Sequence, residues 1–195
     1  MITKTQLRVK RLFDIVLSLM LLPFLIVPMI LFIVIATFDI GKSGLFFQKR
    51  IGQHGKPFNI FKIRTLKPEK HILGKLDLSA TSFGKFLRRY KLDELPQLFN
   101  VIFGHMSFVG PRPDIPGFAD ELKGEDRIIL LVKPGVTGPA TLKYKDEEKI
   151  LAEQVDPEKY NRTIIWPDKV KINKKYIQNY SFYLDLNFIL KSILN

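Results

Sequence analysis

Two adjacent carboxylates, Asp93 and Glu94, lie between basic residues near the middle of the sequence. Arg88 precedes the pair and Arg112 follows it. Cations on both sides of a carboxylate are expected where that carboxylate reacts with a phosphate, because they offset the repulsion between the two anions. This arrangement indicates phosphoryl chemistry, with Asp93 and Glu94 as candidate catalytic residues and Arg88 and Arg112 as candidate phosphate ligands.

An amphipathic pattern after the pair predicts a helix that begins at Asp93 and Glu94. Pro96 is tolerated only in the first turn of a helix, and Leu98 and Ile102 follow at helical spacing. The N-terminal end of a helix carries exposed N–H donors and a partial positive charge, which stabilise anions. The alternative is that Asp93 only caps this helix, since Asp is common at helix starts.

Arg112 lies between Pro111 and Pro113. The two prolines restrict the backbone and favour extended structure around Arg112, so its guanidinium is presented from a stiff loop. An arginine held in this way suits bidentate phosphate binding. The alternative is a rigid turn without a ligand.

Lys62 and Arg64 are two further candidate phosphate ligands. They lie in the second of two short runs, 45–51 and 58–64, which are rich in aromatic and branched residues. The turn residues between these runs predict a β-hairpin. Lys62 and Arg64 alternate with apolar neighbours and should share one strand face. A solvated strand edge is the alternative.

Helical periodicity is present in the segments 82–90, 116–132, 168–180 and 182–194. In the first of them, cations surround an apolar stripe that includes Phe83 and Phe86. Such a helix can lie in the headgroup layer of an anionic membrane, or it can pack as a plain surface helix on the core. The charged run 146–149 is typical of a solvated helix.

Length and composition predict one domain with an N-terminal appendage. The 195 residues are 46% hydrophobic, which suffices for a core, and cysteine is absent, so disulfides and thiolate metal sites are excluded. The three histidines, His54, His71 and His105, are scattered, and we do not expect a zinc site. Residues 1–64 carry ten Lys and Arg against two Asp, and so hold most of the formal charge of +12.

The most apolar stretch, Leu12 to Phe38, predicts a membrane element. Its part from Ile15 to Phe38 has 24 residues without a charge, which is long enough to cross a hydrocarbon layer of about 30 Å. A secretory signal peptide would have a shorter apolar core and a cleavage site of small residues, which the residues around Thr37 do not offer. We therefore expect a retained membrane element.

Basic residues flank this stretch at both ends, and they favour the cytoplasmic side of a membrane. A re-entrant helix-hairpin with a kink at Pro23 would place both ends on that side. A single-pass anchor with a harmless proline kink is the alternative. The hairpin prediction gives an α+β protein, with a re-entrant element at 1–40 and a cytosolic, membrane-associated catalytic domain at 41–195 that contains a small β-hairpin and interfacial amphipathic helices.

Six segments together resemble the bacterial sugar transferases of the small, monotopic kind, which are polyprenyl-phosphate phosphoglycosyl transferases. They occur in the order of the family and extend over nearly the whole chain: 10–14 (KRLFD), 48–56 (QKRIG and GK), 61–65 (FKIRT), 92–101 (LDELPQLFNV), 106–113 (MSFVGPRP) and 134–138 (PGVTG). The DELPQL and VGPRP sequences together are highly specific.

The resemblance implies a membrane enzyme that moves a sugar 1-phosphate from a UDP-sugar to a polyprenyl phosphate, such as undecaprenyl phosphate, and releases UMP. It implies that Asp93 is the nucleophile of a covalent phosphosugar intermediate and that Mg²⁺ is required, with Asp93 as the metal ligand. Glu94 would hold the metal or manage protons. The site would lie on the cytoplasmic face of a bacterial inner membrane, where anionic lipids and the lipid phosphate are found.

The sequence departs from the family pattern in two places. Residues 139–146 replace a Gly-Arg-Asn segment, and Lys145 is the nearest replacement for its arginine as a nucleotide ligand. Asn173 stands where relatives often carry Asp, a role that is either lost or moved to Asp168. A non-enzymatic basic module that docks on anionic membranes is the alternative function, but an acidic pair between arginines would weaken its field. Nucleic acid is not expected as a partner.

Overall fold

The computed structural model of the protein describes residues 1–69 and 73–194, so His71 lies outside the described residues. Helices and short strands alternate along the chain. In order they are α1 (Lys4–Ile40), β1 (Leu45–Ile51), β2 (Pro57–Ile63), α2 (Leu76–Ser79), α3 (Ser82–Arg89), α4 (Gln97–Ile102), β3 (Ser107–Val109), β4 (Gly135–Thr137), α5 (Pro139–Lys143), α6 (Glu147–Ala152), α7 (Pro157–Tyr160), α8 (Trp166–Gln178) and α9 (Phe182–Leu194). The predicted mixture of helix and strand is confirmed.

The helix α1 is long and apolar enough to cross a membrane. It begins at a capping box, in which Thr3 and Gln6 bond each other's backbone N–H groups, and it ends at Gly41 in the left-handed conformation. The helix continues through Pro23 and Pro28. A hairpin of two arms is therefore not shown, and the re-entrant geometry stays a prediction.

Both ends of α1 contact the rest of the chain. Near its start, Arg11 donates to the carbonyl oxygens of Val101 and Ile102 at 2.6 and 2.8 Å, and so binds the last residues of α4. Near its end, Ala36 packs with Ile63 of β2 and Leu87 of α3. Between these contacts most large side chains of α1 are half-buried or exposed.

The predicted β-hairpin is confirmed. Strands β1 and β2 pair antiparallel from Leu45 with Ile63 to Ile51 with Pro57. A short turn at Gln53–Gly55 joins them, and His54 adopts a positive φ of 60° there. Because side chains alternate along a strand, Lys62 lies on the same face of the hairpin as Arg50 of the partner strand.

The strands β3 and β4 form a second sheet and pair in parallel. Gly110, Pro111 and Arg112 follow β3 directly, and the N–H of Gly135 donates to the carbonyl oxygen of Pro111 at 2.8 Å. A Cβ on Gly135 would lie 2.1 Å from the backbone nitrogen of Gly110, so these two segments of the chain approach too closely for any other residue at position 135. This contact fixes the loop that carries Arg112.

The predicted helices at 82–90, 168–180 and 182–194 are confirmed as α3, α8 and α9. The prediction of one helix over 116–132 is wrong. Two 3₁₀ segments, Ala119–Glu121 and Gly124–Leu131, occupy that region. Gly117 and Gly124 both have positive φ, which an α-helix does not accommodate, so they interrupt it.

The largest apolar core joins the C-terminal helices to the 3₁₀ segments and to the ends of β1 and β3. Its buried residues are Ile51, Val109, Ala119, Ile129, Leu130, Val132, Val170, Tyr176, Ile177 and Tyr180. On the other side of the hairpin, Phe83 of α3 contacts Phe32 of α1 edge to face. Phe86 and Tyr90 of the same helix are 46% and 58% exposed. Whether α3 lies at a membrane interface or is a plain surface helix stays a prediction.

Candidate active site

The acidic pair lies in a separate 3₁₀ turn, Leu92–Glu94, and not in the first turn of α4. Lys91 before it has the left-handed φ of 58°. The N–H of Glu94 donates to the carbonyl oxygen of Lys91 at 3.2 Å, and α4 begins only at Gln97. The predicted helix start at Asp93 is therefore wrong by about one turn, because the residues Leu92–Glu94 form a 3₁₀ turn before α4 begins.

Two cations hold Glu94 in place. Lys62 Nζ and Arg112 Nη2 donate to the same oxygen, Oε1, at 2.8 and 3.2 Å. Burial opposes ionisation of Glu94, but the charges of Lys62 and Arg112 outweigh it and hold the pKa of Glu94 well below its usual range. Glu94 is thus an ionised carboxylate that is clamped between β2 and the loop after β3.

Asp93 is buried, with 7% of its surface exposed, yet its carboxylate has no hydrogen bond or ion pair with any residue the structure describes. Burial raises the pKa of Asp93 and the charge of Glu94 raises it further, against the lowering effect of Lys62. Asp93 and Glu94 therefore differ sharply. Glu94 is neutralised by partners, whereas the oxygens of Asp93 remain open to an incoming group.

Arg88 brings a further cation to the pair. It lies near the end of α3, and its charge acts on Asp93. Arg88 Nη2 also donates to Glu148 Oε2 of α6 at 2.7 Å. A helix that is distant in sequence therefore reaches the site, although the charged run 146–149 predicted only a solvated helix.

Arg50 belongs to the site but was not predicted. It lines a small cavity together with Ile60, Lys62, Gln97, Arg112, Pro113 and Gly135. Arg50 Nη1 donates to the carbonyl oxygen of Pro113 at 3.2 Å, and burial with the nearby charge of Arg112 lowers its pKa to about 10. The alternation of side chains along β1 could have predicted this, because it places Arg50 on the same face of the hairpin as Lys62.

Asp114 and Lys169 are two further charged residues near Arg112. Burial raises the pKa of Asp114, and the charges of Lys169 and Arg50 oppose that rise. Lys169 of α8 donates to both carboxylate oxygens of Glu147 at 2.8 Å. Nothing in the local sequence marks these residues, since they come from three separate segments.

Three residues singled out from the sequence lie in other surroundings. Arg64 donates to the carbonyl oxygen of Ser43 at 2.7 Å, and so braces the segment after α1. Lys145 is exposed between α5 and α6 and has no hydrogen bond with the acidic pair in the part of the chain described. Asp168 binds Lys143 and the hydroxyl of Tyr144 at 2.6 and 2.7 Å. Phosphate or nucleotide binding by Arg64 and Lys145 stays a prediction.

The carboxylate of Asp93 fits a magnesium ligand. Within residues 1–69 and 73–194 there is no group of three His, Cys, Asp or Glu residues that could hold a metal alone. Mg²⁺ is commonly bound by one or two carboxylates together with substrate phosphates and water. A buried carboxylate without a hydrogen-bond partner, among cations that suit phosphate, matches this kind of site.

The arrangement can hold a phosphate against a carboxylate. Lys62, Arg88 and Arg112 surround the pair, and two further cations, Arg50 and Lys91, lie beside it. An anionic nucleophile such as Asp93 can approach a phosphorus atom only where such charges offset the repulsion. The geometry therefore favours phosphoryl transfer through a carboxylate over a purely electrostatic docking surface.

Comparison with known proteins agrees with this chemistry. EpsL, an uncharacterized sugar transferase of Bacillus subtilis (strain 168), is 33% identical over 94% of this chain and 85% of the relative. The UDP-glucose:undecaprenyl-phosphate glucose-1-phosphate transferase of Klebsiella pneumoniae is 35% identical over 94% of this chain, which spans only 39% of that relative. A putative undecaprenyl-phosphate N-acetylgalactosaminyl 1-phosphate transferase of Bacillus subtilis (strain 168) is 34% identical, over 75% and 84%.

The family comparison covers nearly the whole chain. The model of the bacterial sugar transferase family matches residues 5–195, which include α1, the acidic pair and the loop of Arg112. The resemblance seen in the sequence motifs is thereby confirmed. The protein belongs to the bacterial sugar transferase family.

Proposed function

We propose that this protein transfers a sugar 1-phosphate from a UDP-sugar to undecaprenyl phosphate and releases UMP, as the first membrane step of a bacterial surface glycan pathway. Relatives that carry the names of undecaprenyl-phosphate glucose, galactose and N-acetylgalactosamine phosphotransferases support this reaction class. The observation that carries the proposal is the buried, unpartnered carboxylate of Asp93 beside the clamped Glu94.

The reaction proceeds as two displacements at phosphorus. In the first, an oxygen of Asp93 attacks the phosphate that carries the sugar, the bond to the bridging oxygen breaks, and its electron pair leaves with UMP. In the second, the lipid phosphate attacks the same phosphorus and releases Asp93. Splitting the transfer in this way means that the lipid phosphate and the UDP-sugar need not lie in reacting positions at the same time.

Glu94 acts through its position. Because Lys62 and Arg112 are held by Glu94 Oε1, they remain beside Asp93 without neutralising it. A preorganised pair of cations stabilises charge that develops on the transferred phosphate, and it needs little rearrangement during the reaction. Mg²⁺ held by Asp93 and the donor phosphates would supply further charge neutralisation there.

The contacts of α1 support a re-entrant topology with both ends of the helix on one side of the membrane, and the basic residues at both ends favour the cytoplasmic face of a bacterial inner membrane. Arg11 and Ala36, near the two ends of the helix, contact the same globular part. The stretch between them exposes Leu19, Phe24 and Leu31, as expected of a segment that enters lipid. An enzyme arranged in this way meets its acceptor phosphate at the membrane surface, next to the exposed aromatic side chains of α3.

The function is tested by incubating the enzyme with each of a panel of UDP-sugars and Mg²⁺ in the absence of lipid. The active donor should release about one UMP per active site and leave a covalent adduct on the protein, visible by intact mass, because the first displacement needs no acceptor. Asp93→Asn should abolish both signals, since the amide keeps the shape but is no nucleophile. Transfer to lipid without burst or adduct would show direct attack by the lipid phosphate instead.

The topology is tested with single cysteines at Thr3 and Ser43, because the chain has none of its own. We expect both positions to resist a membrane-impermeant thiol reagent in intact cells and to react in permeabilised cells. Labelling of the Thr3 position alone in intact cells would establish a spanning helix and exclude the re-entrant arrangement.

A further inference from the structure

The backbone at Lys91 is unusual for a lysine. Its φ is 58° and its ψ is 19°, in the left-handed region, and His54 is the one other non-glycine residue of the described chain with a positive φ. The Cβ atom of an ordinary residue makes this conformation costly, while Gly and Asn adopt it more readily. A lysine at such a position next to a catalytic pair suggests that its side chain has a task.

The other cations near Asp93 already have carboxylate partners. Among the charges that act on Asp93, those of Lys62, Arg88 and Lys91 are the main cationic ones. Lys62 is bound to Glu94 and Arg88 to Glu148, at 2.8 and 2.7 Å. The side chain of Lys91 is exposed and has neither a hydrogen bond nor an ion pair among the residues described.

The proposed reaction creates negative charge on the leaving group. The paired cations are not free to bind that charge, because each is already held by a carboxylate. When Asp93 forms its bond to phosphorus, the electron pair of the broken bond moves to the oxygen that leaves with UMP. The side chain of a lysine is flexible, so a lysine without an ion pair can move with this oxygen and need not first break a contact to a carboxylate. Lys91 lies two residues before Asp93, at the exposed edge of the turn.

On this basis, and given the proposed function, we propose that Lys91 binds the diphosphate of the UDP-sugar and neutralises the charge that develops on the UMP leaving group. The position has no counterpart in the residues singled out from the motifs. Its left-handed backbone is held from both sides, since the N–H of Lys91 donates to the carbonyl oxygen of Arg88 and its own carbonyl oxygen accepts from Glu94.

The test uses Lys91→Asn in the full-length protein, because Asn removes the charge and tolerates the left-handed backbone. In the absence of lipid, UMP release at subsaturating UDP-sugar should slow on the order of tenfold, the effect of one charged hydrogen bond to phosphate. Lys91→Arg should recover most of the rate. The melting temperature of Lys91→Asn should be no lower than that of the unmodified protein, since the backbone strain is reduced.

His54→Asn is the matched control. His54 has a similar φ of 60° and is exposed in the turn between β1 and β2. The same substitution there should change stability in the same direction and leave UMP release unchanged. A purely conformational role for Lys91 would make the two variants behave alike.

Two outcomes would overturn the assignment to Lys91. One is a wild-type rate of UMP release in Lys91→Asn, measured as kcat/KM for the UDP-sugar with lipid present if the enzyme shows no burst. The other is a loss confined to transfer from the preformed phosphosugar-enzyme to polyprenyl phosphate, which would assign Lys91 to the acceptor. Failure of the proposed function itself is distinct, because the unmodified protein would then release no UMP from any UDP-sugar.

Discussion

Asp93 and Asp185 are both buried carboxylates, but they have opposite surroundings. Asp185 of α9 accepts hydrogen bonds from Lys10 at 2.5 Å, Tyr176 at 2.6 Å and Tyr180 at 3.1 Å. Asp93 accepts none from any residue described, although Lys62 and Arg88 lie nearby. A carboxylate with all its partners is fixed and weakly nucleophilic, whereas one without donors from the protein keeps its oxygens available to an incoming group.

The two clusters also differ in what they connect. The cluster of Asp185 joins the start of α1 to α8 and α9, and so ties the membrane element to the C-terminal helices. Burial and the charge of Asp185 raise the pKa values of Tyr176 and Tyr180, which therefore remain hydroxyl donors at any physiological pH. The cluster around Asp93 joins β2, α3 and the loop after β3. We infer that the first network maintains the fold and that the second serves the proposed reaction.

The largest expected effect on stability is that of Asp185→Asn. It removes the carboxylate that is ion-paired with the buried ammonium group of Lys10, and breaking a buried pair in this way typically costs about 3–5 kcal/mol in the free energy of unfolding. Asp93→Asn should be at least as stable as the unmodified protein at neutral pH, because burial disfavours the charged form of Asp93. Denaturant unfolding in detergent micelles measures both.

The double variant Lys10→Met with Asp185→Asn is the control for this comparison. It also removes the buried ammonium group of Lys10, and it should therefore recover part of the stability that Asp185→Asn loses. Equal losses in Asp93→Asn and Asp185→Asn would mean that both carboxylates serve the fold, and the distinction between the two clusters would be wrong.

The sequence predicted one of these clusters and not the other, for a physical reason. Asp93, Glu94 and Arg112 lie in short motifs, and Lys62 lies on a strand whose alternation is visible in the sequence. Lys10 was expected to be a basic flank of the membrane element, but it is 4% exposed and paired with Asp185, which is far away in the sequence. Local patterns cannot specify partners that only the tertiary fold brings together.

The same limit applies to the elements. Periodicity was sufficient for the β-hairpin, α3, α8 and α9, because each follows its apolar pattern without an interruption. It failed over 116–132, where positive φ at Gly117 and Gly124 overrides an apolar pattern. The helix expected to begin at Asp93 begins later, because Leu92–Glu94 form a 3₁₀ turn after the left-handed backbone at Lys91. No turn residue such as Gly or Asn marks that position in the sequence.

The next largest expected effect is on activity, and it concerns the cations Lys62 and Arg112 that bind Glu94 and leave Asp93 unpaired. Arg112→Lys keeps the charge but loses the planar fork, so a weaker hold on Glu94 and on the donor phosphate should cost about 1–3 kcal/mol of transition-state stabilisation, a ten- to hundredfold loss in kcat/KM. The rate of UMP release measures it. Near-normal activity would reduce Arg112 to a residue that shapes its loop.

Arg127→Lys is the matched control for that substitution. Arg127 donates to the carbonyl oxygen of Leu122 at 3.0 Å and not to a carboxylate, and it lies on the surface of a 3₁₀ segment. Its replacement should leave UMP release within about twofold of the unmodified rate, as expected for an exposed residue with one replaceable hydrogen bond.

The smallest effect is a shift in pH dependence, and it tests the contrast between Asp93 and Glu94 directly. As the proposed nucleophile, Asp93 must be ionised to attack, so UMP release should fall as the pH drops through its raised pKa. Glu94→Gln removes a negative charge that raises this pKa and frees Lys62 to approach Asp93. The acid limb should therefore move to lower pH, while the maximal rate falls.

Asp114→Asn separates this interpretation from its strongest rival. Burial raises the pKa of Asp114 as well, so Asp114 could in principle produce an acid limb of its own. If Asp93 is the titrating nucleophile, Asp114→Asn should leave the midpoint in place and Glu94→Gln should move it. A midpoint that moves in Asp114→Asn and not in Glu94→Gln would show that Asp114, and not Asp93, is the group that titrates. Asp93 would then be ionised throughout the working range, because the neighbouring cations outweigh its burial.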